Sequence, residues 1–240
     1  MKNTHALDNP IWHSLNSVHQ KFALGGKTIL RYPSSVLPFM GFDHADQSPL
    51  DKIENQMEVN EKVFVVGKLP SFPPNWTIFS EMVCNQMVCQ KPVSFIRSEE
   101  YEITPLTPEC ADEMVAFINR IQPGYFKRDT PLLGNYYGIR INGQLIAMAG
   151  ERLKMPGYSE VSAICTAPEY TGKGLAQYLI SYICNEIQKR GESPFLHVVN
   201  TNERAIRLYE FMGFEKRADI PFWLIGLMSP SFSHLPATKE

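Results

Sequence analysis

Apolar residues recur along this chain in rhythms that change character near residue 100. Between about 27 and 95, short apolar stretches (KTILRY, KVFVVG, WTIFSEMVC) alternate with proline-rich breaks such as LPSFPPNW. DKIENQMEVN has the spacing of one polar-faced helix. The pattern predicts a mixed α and β region without a visible chemical motif. A charged break, RSEE at 97–100, sets the expected boundary between two domains, 1–97 and 98–240.

Beyond that break the signals sharpen. Thr107-Pro108-Glu109 reads as an N-cap, a proline at the first helical position and an acid in the first turn, ahead of the apolar stripe Met114, Val115, Phe117, Ile118 and Ile121. YYGIRI, Asn142-Gly143 and QLIAMAGE predict a hairpin, because Asn-Gly accepts the positive φ angles of a type I′ turn. After KMPG the chain turns back into a third strand, YSEVSAICT, which runs directly into APEYTGKGLA. Leu175, Leu179, Ile183 and Ile187 mark a long helix that stops at Lys189, Arg190 and Gly191. PFLHVV at 194–199 is the next strand, so strand, helix and strand form a βαβ unit with a glycine loop at the carboxyl end of its first strand. NTNERAIRLYEFMGF predicts a second, short helix with Asn202 or Thr201 as N-cap, Glu203 and Arg207 at i,i+4, and Gly213 as its stop. EKRADIPFWLIGL is expected to supply two last strands. The fold class is α/β, with a mixed sheet.

Composition narrows the partners. A formal net charge of −2 over 240 residues gives no general electrostatic reason to expect nucleic acid or an anionic membrane. The apolar runs are too short to span a bilayer, and residues 1–20, with Asp8, Pro10 and three histidines, lack a signal peptide's apolar core. The expected location is the cytoplasm. The five cysteines show no CxxC spacing, which argues for reduced core thiols and against a metal site. GGKT at 25–28 imitates the end of a phosphate-binding Walker A loop, but Lys21 stands where that loop needs its first glycine.

Chemistry concentrates in YTGKGLA at 170–176, a glycine-rich turn entering a helix, which points backbone N–H groups at a phosphate or simply turns the chain tightly. Its context separates the two. The order strand, EYTGKGLA, helix, strand, then N-x-x-A-x-x-L-Y-x-x-M-G-F resembles the GNAT superfamily of N-acetyltransferases, and its FR47-like branch in particular, over roughly residues 100–240. The resemblance implies a GNAT acyltransferase fold in the C-terminal half, joined to a diverged mixed α/β N-terminal domain of GNAT-like or other descent.

It also implies acetyl-CoA as cosubstrate. The loop Thr171, Gly172, Lys173, Gly174, Leu175 and Ala176 would wrap the pyrophosphate, and the pantetheine arm would run along Ser162 to Thr166, meeting backbone groups at Ile164, Cys165 and Thr166. Thr171 departs from the family, which usually carries Arg or Gln there. Lys173 is then either a compensating phosphate contact or a solvated loop lysine. Asn202 matches a cofactor-contacting position and also suits an N-cap. Tyr209 matches the family's general acid, against the plainer reading of a core tyrosine. His197 reads as a structural histidine within its strand rather than a catalytic one.

Acetyl transfer requires a neutral amine, and an ammonium of pKa about 10.4 is neutral only about once in 10³ molecules at pH 7, worth roughly 4 to 5 kcal/mol. Glu151 and Glu160 are the candidate bases, expected at one mouth of the sheet; the alternative is a pair of solvated strand-end carboxylates. The expected activity is direct transfer of acetyl to a primary amine of a small molecule or peptide, by a monomer or homodimer whose N-terminal half helps form the acceptor site. Two other readings stay open: a non-catalytic acyl-CoA-binding or sensing protein, and an N-acyltransferase using a longer acyl-CoA, as in the glycine acyltransferases that this half also resembles.

Overall fold

The computed structural model describes residues 5–45, 50–58, 60–94 and 98–227. In chain order the elements are α1 (Pro10–Leu15), β1 (Leu24–Gly25), β2 (Ile29–Arg31), β3 (Phe39–Phe42), β4 (Lys62–Val66), β5 (Trp76–Val88), β6 (Ile103–Leu106), α2 (Ala111–Ile121), β7 (Tyr136–Ile141), β8 (Gln144–Met155), β9 (Tyr158–Thr166), α3 (Leu175–Lys189), β10 (Ser193–Val199), α4 (Glu203–Phe211) and β11 (Glu215–Leu227). Among the described residues these strands form one sheet, ordered β1-β2-β3-β4-β11-β5-β10-β9-β8-β7-β6. The fold is α/β with a mixed sheet.

Local chemistry explains most elements. Asn142 and Gly143 take φ 49° and 80°, as the hairpin between β7 and β8 requires. α3 buries Leu175, Leu179, Ile180, Ile183, Cys184 and Ile187 in a core with Ala147, Val161 and Leu196 of the sheet. At about 1.5 to 3 kcal/mol for each large apolar side chain, that seam holds the βαβ unit together. α2 buries Ala111, Met114, Phe117 and Ile118 over the sheet's opposite face, against Tyr136, Met148 and Cys165. Its first turn is a 3-10 turn, Pro108–Cys110, and the Thr107 side chain makes no capping bond to it. All five cysteines are free, four of them buried. Burial pushes the Cys165 thiol up to about 12, which makes it inert.

Three expectations change. DKIENQMEVN forms a 3-10 helix, Leu50–Gln56, because its buried residues, Leu50 and Ile53, follow a three-residue period; Val59 lies outside the described residues. EKRADIPFWLIGL is one thirteen-residue strand rather than two. Pro221 does not break it: its carbonyl accepts from Gly67 just past the end of β4, so the missing N–H falls where that ladder stops. The strand separating β11 from β10 is instead β5, from the chain's first half, which pairs with β11 along nearly its whole length and with β10 from Cys84 to Val88. Glu151 and Glu160, the third case, belong to the site.

Candidate active site

β9 and β10 are parallel, but their ladder covers only Tyr158–Glu160 against Ser193–Phe195. Beyond it the strands diverge, and a bulge in β9 shows why. Between the pairs Met148↔Cys165 and Gly150↔Ser162, two residues of β9, Ala163 and Ile164, face one residue of β8. Ala163 sits at φ 54°, in the left-handed region that costs a non-glycine residue about 1 kcal/mol or more. The kink leaves backbone groups of β9 beyond Glu160 without a β10 partner among the described residues. It also opens a cavity of about 400 Å³, lined by Ser162, Ala163 and Ile164 on one wall and by Leu196 to Val199 and Asn202 on the other.

The glycine loop follows directly. Gly172 and Gly174 take φ 81° and 75°, and Gly174 is the N-cap of α3. The N–H groups of residues 172–177 meet no acceptor among the described residues, so a row of donors faces outward at the positive end of a fifteen-residue helix. Thr171 spends its hydroxyl on the Pro168 carbonyl at 2.9 Å. The Lys173 ammonium lies 5.3 Å from the Tyr170 ring centroid, on the exposed side of the loop. Leu175 and Cys165 are core side chains, so in this site they have only backbone to offer, whereas Ile164, Thr166 and Ala176 are half-buried.

α4 closes the other wall. Asn202 is its N-cap, with Oδ1 accepting from the Ala205 N–H at 3.2 Å, and it also lines the cavity. Tyr209 lines the cavity too, its ring edge-on to Phe214 with centroids 6.1 Å apart. Its phenol has no hydrogen-bond partner among the described residues, and burial pushes it up to about 12.

The deep end holds a buried ionic network. Glu160 is 0% exposed, and each of its oxygens takes two hydrogen bonds. Oε1 accepts from Arg152 Nη2 at 2.7 Å and from His197 Nδ1 at 2.7 Å; Oε2 accepts from Arg152 Nε at 2.8 Å and from the Leu153 N–H at 3.3 Å. Burial alone would raise this carboxyl, but the Arg152 guanidinium and the His197 bond hold it down at about 2. Gln86 fixes the histidine: its amide nitrogen donates to the Leu7 carbonyl at 2.8 Å and contacts His197 Nε2 at 3.0 Å, while its oxygen accepts from Arg217 at 2.7 Å. His197 Nε2 must therefore accept and Nδ1 carry the proton. Arg217 also pairs with Asp8.

Glu151 does not join Glu160 at one mouth of the sheet. It stands opposite Val161, on the face covered by α3, and pairs there with Arg190 at 2.8 Å and Lys154 at 2.7 Å. Adjacent strand residues alternate faces, so Glu160 points to the other side. Residues not anticipated from the sequence complete the cavity: Arg152, Tyr136, Phe39, Tyr125, Phe126 and Phe222. A readable signal existed for Arg152 alone, a cation inside the apolar strand QLIAMAGERL.

The family model described as FR47-like protein matches residues 136–224, the segment holding the splayed strands, the loop and α4. A GNAT-family protein from Novosphingobium aromaticivorans is 31% identical in sequence, with a TM-score of 0.85 over 94% of this chain and 100% of its own. A GCN5-related N-acetyltransferase from Kribbella flavida (15% identity, TM-score 0.59, 94% of this chain and 95% of its own) shares the fold. So does a GCN5-related N-acetyltransferase-like protein from Streptococcus suis (14%, TM-score 0.56, 90% and 92%). No curated protein matches the sequence. With a relative of that identity matched over nearly its whole length, and the splayed strands, bulge and glycine loop in one continuous segment, the chain belongs to the GNAT family of acetyltransferases.

Proposed function

We propose that this protein moves an acetyl group from acetyl-CoA directly to a primary amine of a small molecule or peptide, in the cytoplasm. The observation that carries the reading is the gap between β9 and β10, which ends at unpaired N–H groups of the glycine loop. The fit is one of donors to acceptors. A diphosphate supplies oxygens to the loop from Thr171 to Ala176, and an extended amide-bearing arm supplies partners for the backbone of Ile164, Cys165 and Thr166.

The reacting groups follow from the cavity lining, which contains no Asp or Glu among the described residues. Glu160 has both oxygens filled and serves to hold Arg152, and Glu151 lies on the other face. We therefore assign deprotonation of the amine to desolvation: a mostly apolar cavity disfavours the ammonium, whose proton leaves through water. The neutral nitrogen attacks the thioester carbonyl, a β9 N–H near Ile164 meets the developing oxyanion, the C–N bond forms and the C–S bond breaks, the departing thiolate takes a proton from Tyr209, and the proton that the attacking nitrogen sheds restores the phenol. Phe39, Met82 and Cys84 of the first half line the same cavity, which supports a share for that half in holding the acceptor.

The test is thiol release from acetyl-CoA with a mixed panel of amines, run beside calorimetry of acetyl-CoA binding and repeated with longer acyl-CoAs. Amine-dependent release is expected. Binding without release from any acyl-CoA would identify a sensor, and faster release from longer acyl groups would shift the donor.

A further inference from the structure

The deep end of the cavity presents hydrogen-bond donors that no described residue uses. Arg152 gives Nε and one N–H of Nη2 to Glu160, while the two N–H groups of Nη1 have no acceptor among the described residues. Its side chain is 15% exposed and lines the cavity, with the guanidinium carbon 5.0 Å from the Phe39 ring centroid. Tyr136 lines the same cavity and ends in a buried hydroxyl without a hydrogen-bond partner among the described residues. The tyrosine is held there by its neighbour: a Cβ on Gly150, opposite it in β8, would lie 2.1 Å from its ring. A buried hydroxyl left unsatisfied costs about 1 to 3 kcal/mol, and with the free face of Arg152 lining the same cavity the two groups suit an acceptor that no described residue supplies.

Charge decides what kind of acceptor. Glu160 already neutralises Arg152 and has no free lone pair, so the pair presents donors with no net charge. A ligand carboxylate would bring an uncompensated charge into a low-dielectric space, whereas a neutral carbonyl takes the same charge-assisted hydrogen bond without it. Phe39, Tyr125, Phe126 and Phe222 around this end suit an apolar or aromatic body beside the oxygen.

We infer that the acceptor amine carries a neutral carbonyl oxygen, as in an amino amide, which docks on Arg152 Nη1 and the Tyr136 hydroxyl. This rests on the acyl-transfer reading above. It is tested by measuring kcat/KM for thiol release from acetyl-CoA with phenylalaninamide, phenylalanine and 2-phenylethylamine, in the native protein and in Tyr136→Phe. Amine basicity is identical for both proteins, so the change in substrate ratio isolates the hydroxyl. The amide is expected to exceed 2-phenylethylamine by tenfold or more, and Tyr136→Phe to cut that preference about fivefold. Arg152→Lys, which keeps a cation facing Glu160 and removes the fork, should cut it further.

A preference unchanged in both variants, equal use of all three amines, or preference for phenylalanine would overturn the inference while leaving acyl transfer intact. Binding of acetyl-CoA with none of the three acetylated would also overturn it. Absence of acetyl-CoA binding would instead remove the acyl-transfer reading and the inference with it.

Discussion

At the loop end of the site the functional groups are backbone N–H and C=O from one short continuous stretch, from Ser162, Ala163 and Ile164 in the cavity wall to the N–H groups of residues 172–177 beyond it, whereas at the deep end they are side chains from β3, β7, β8, β10 and β11 and from the segment after α2. Backbone chemistry needs particular dihedral angles, and glycines at φ 81° and 75° announce those angles in the sequence. Side-chain convergence needs only that the sheet order bring distant strands together, which no local pattern announces. The loop end is therefore tolerant of its surroundings, and the deep end depends on the whole sheet.

The sharpest way to break that contrast is to remove the first half. A chain starting at residue 98 lacks β5 and so leaves β10 and β11 without the strand that joins them, and it strips Phe39, Met82 and Cys84 from the cavity. Two freshly exposed edges invite aggregation. We expect this chain to be insoluble, or soluble without a cooperative thermal transition. A cooperative transition together with native acetyl-CoA affinity would show the loop end to be independent of the rest.

Gly174→Asp tests the loop end alone. It places a side chain at φ 75° and a negative charge at the start of α3, where a diphosphate would sit. Acetyl-CoA affinity should fall on the order of 10²-fold or more by calorimetry, with the thermal midpoint lowered by only a few degrees, since the left-handed backbone costs a non-glycine residue about 1 kcal/mol. Unchanged affinity in the folded variant would move the phosphate site elsewhere.

These contrasts explain what was legible. The hairpin at Asn142-Gly143, the βαβ unit from Tyr158 to Val199 and the glycine turn into α3 rest on patterns within continuous sequence, and the structure contains each of them. β5 was visible as a strand but its place was not, since WTIFSEMVC carries no mark of pairing with strands more than a hundred positions away. The two carboxylates failed for a smaller reason. Glu151 and Glu160 look equivalent as strand-end acids, but the register Glu151↔Val161 puts them on opposite faces, and each meets cations that the sequence does not connect to it.

Tyr209→Phe probes where the two ends meet. A phenol at about 12 looks too weak an acid for a thiolate of ordinary pKa about 8.5. The thiolate forms in the same cavity, however, and Cys84, which lines it, shows what burial there does to a thiol: it is pushed up to about 11. A leaving thiolate raised comparably narrows the gap to about one pKa unit, or about 1.4 kcal/mol. Turnover should fall on the order of 10²-fold in Tyr209→Phe with acetyl-CoA affinity nearly intact. Unchanged turnover where chemistry is rate-limiting would leave Tyr209 as a wall residue.

Thr171→Arg should have the smallest effect, and of opposite sign. Thr171 is exposed at φ −68°, ψ 153°, an ordinary extended conformation that arginine adopts without strain. Its hydroxyl already donates to the Pro168 carbonyl, so the native residue offers a diphosphate little beyond its backbone. A guanidinium at this position restores the charge usual in the family, but on an exposed loop such a contact is worth at most about 1 kcal/mol, a gain of about fivefold in acetyl-CoA affinity. Because the added interaction is between solvent-exposed charges, it should weaken between low salt and about 1 M, where the Debye length shrinks to about 3 Å. Thr171→Gln, which adds amide donors without charge, should gain less and show no such extra salt dependence. If Thr171→Arg bound acetyl-CoA no better than the native protein at low salt, the loop's N–H groups would already satisfy the phosphates unaided, and backbone chemistry alone would account for this end of the site.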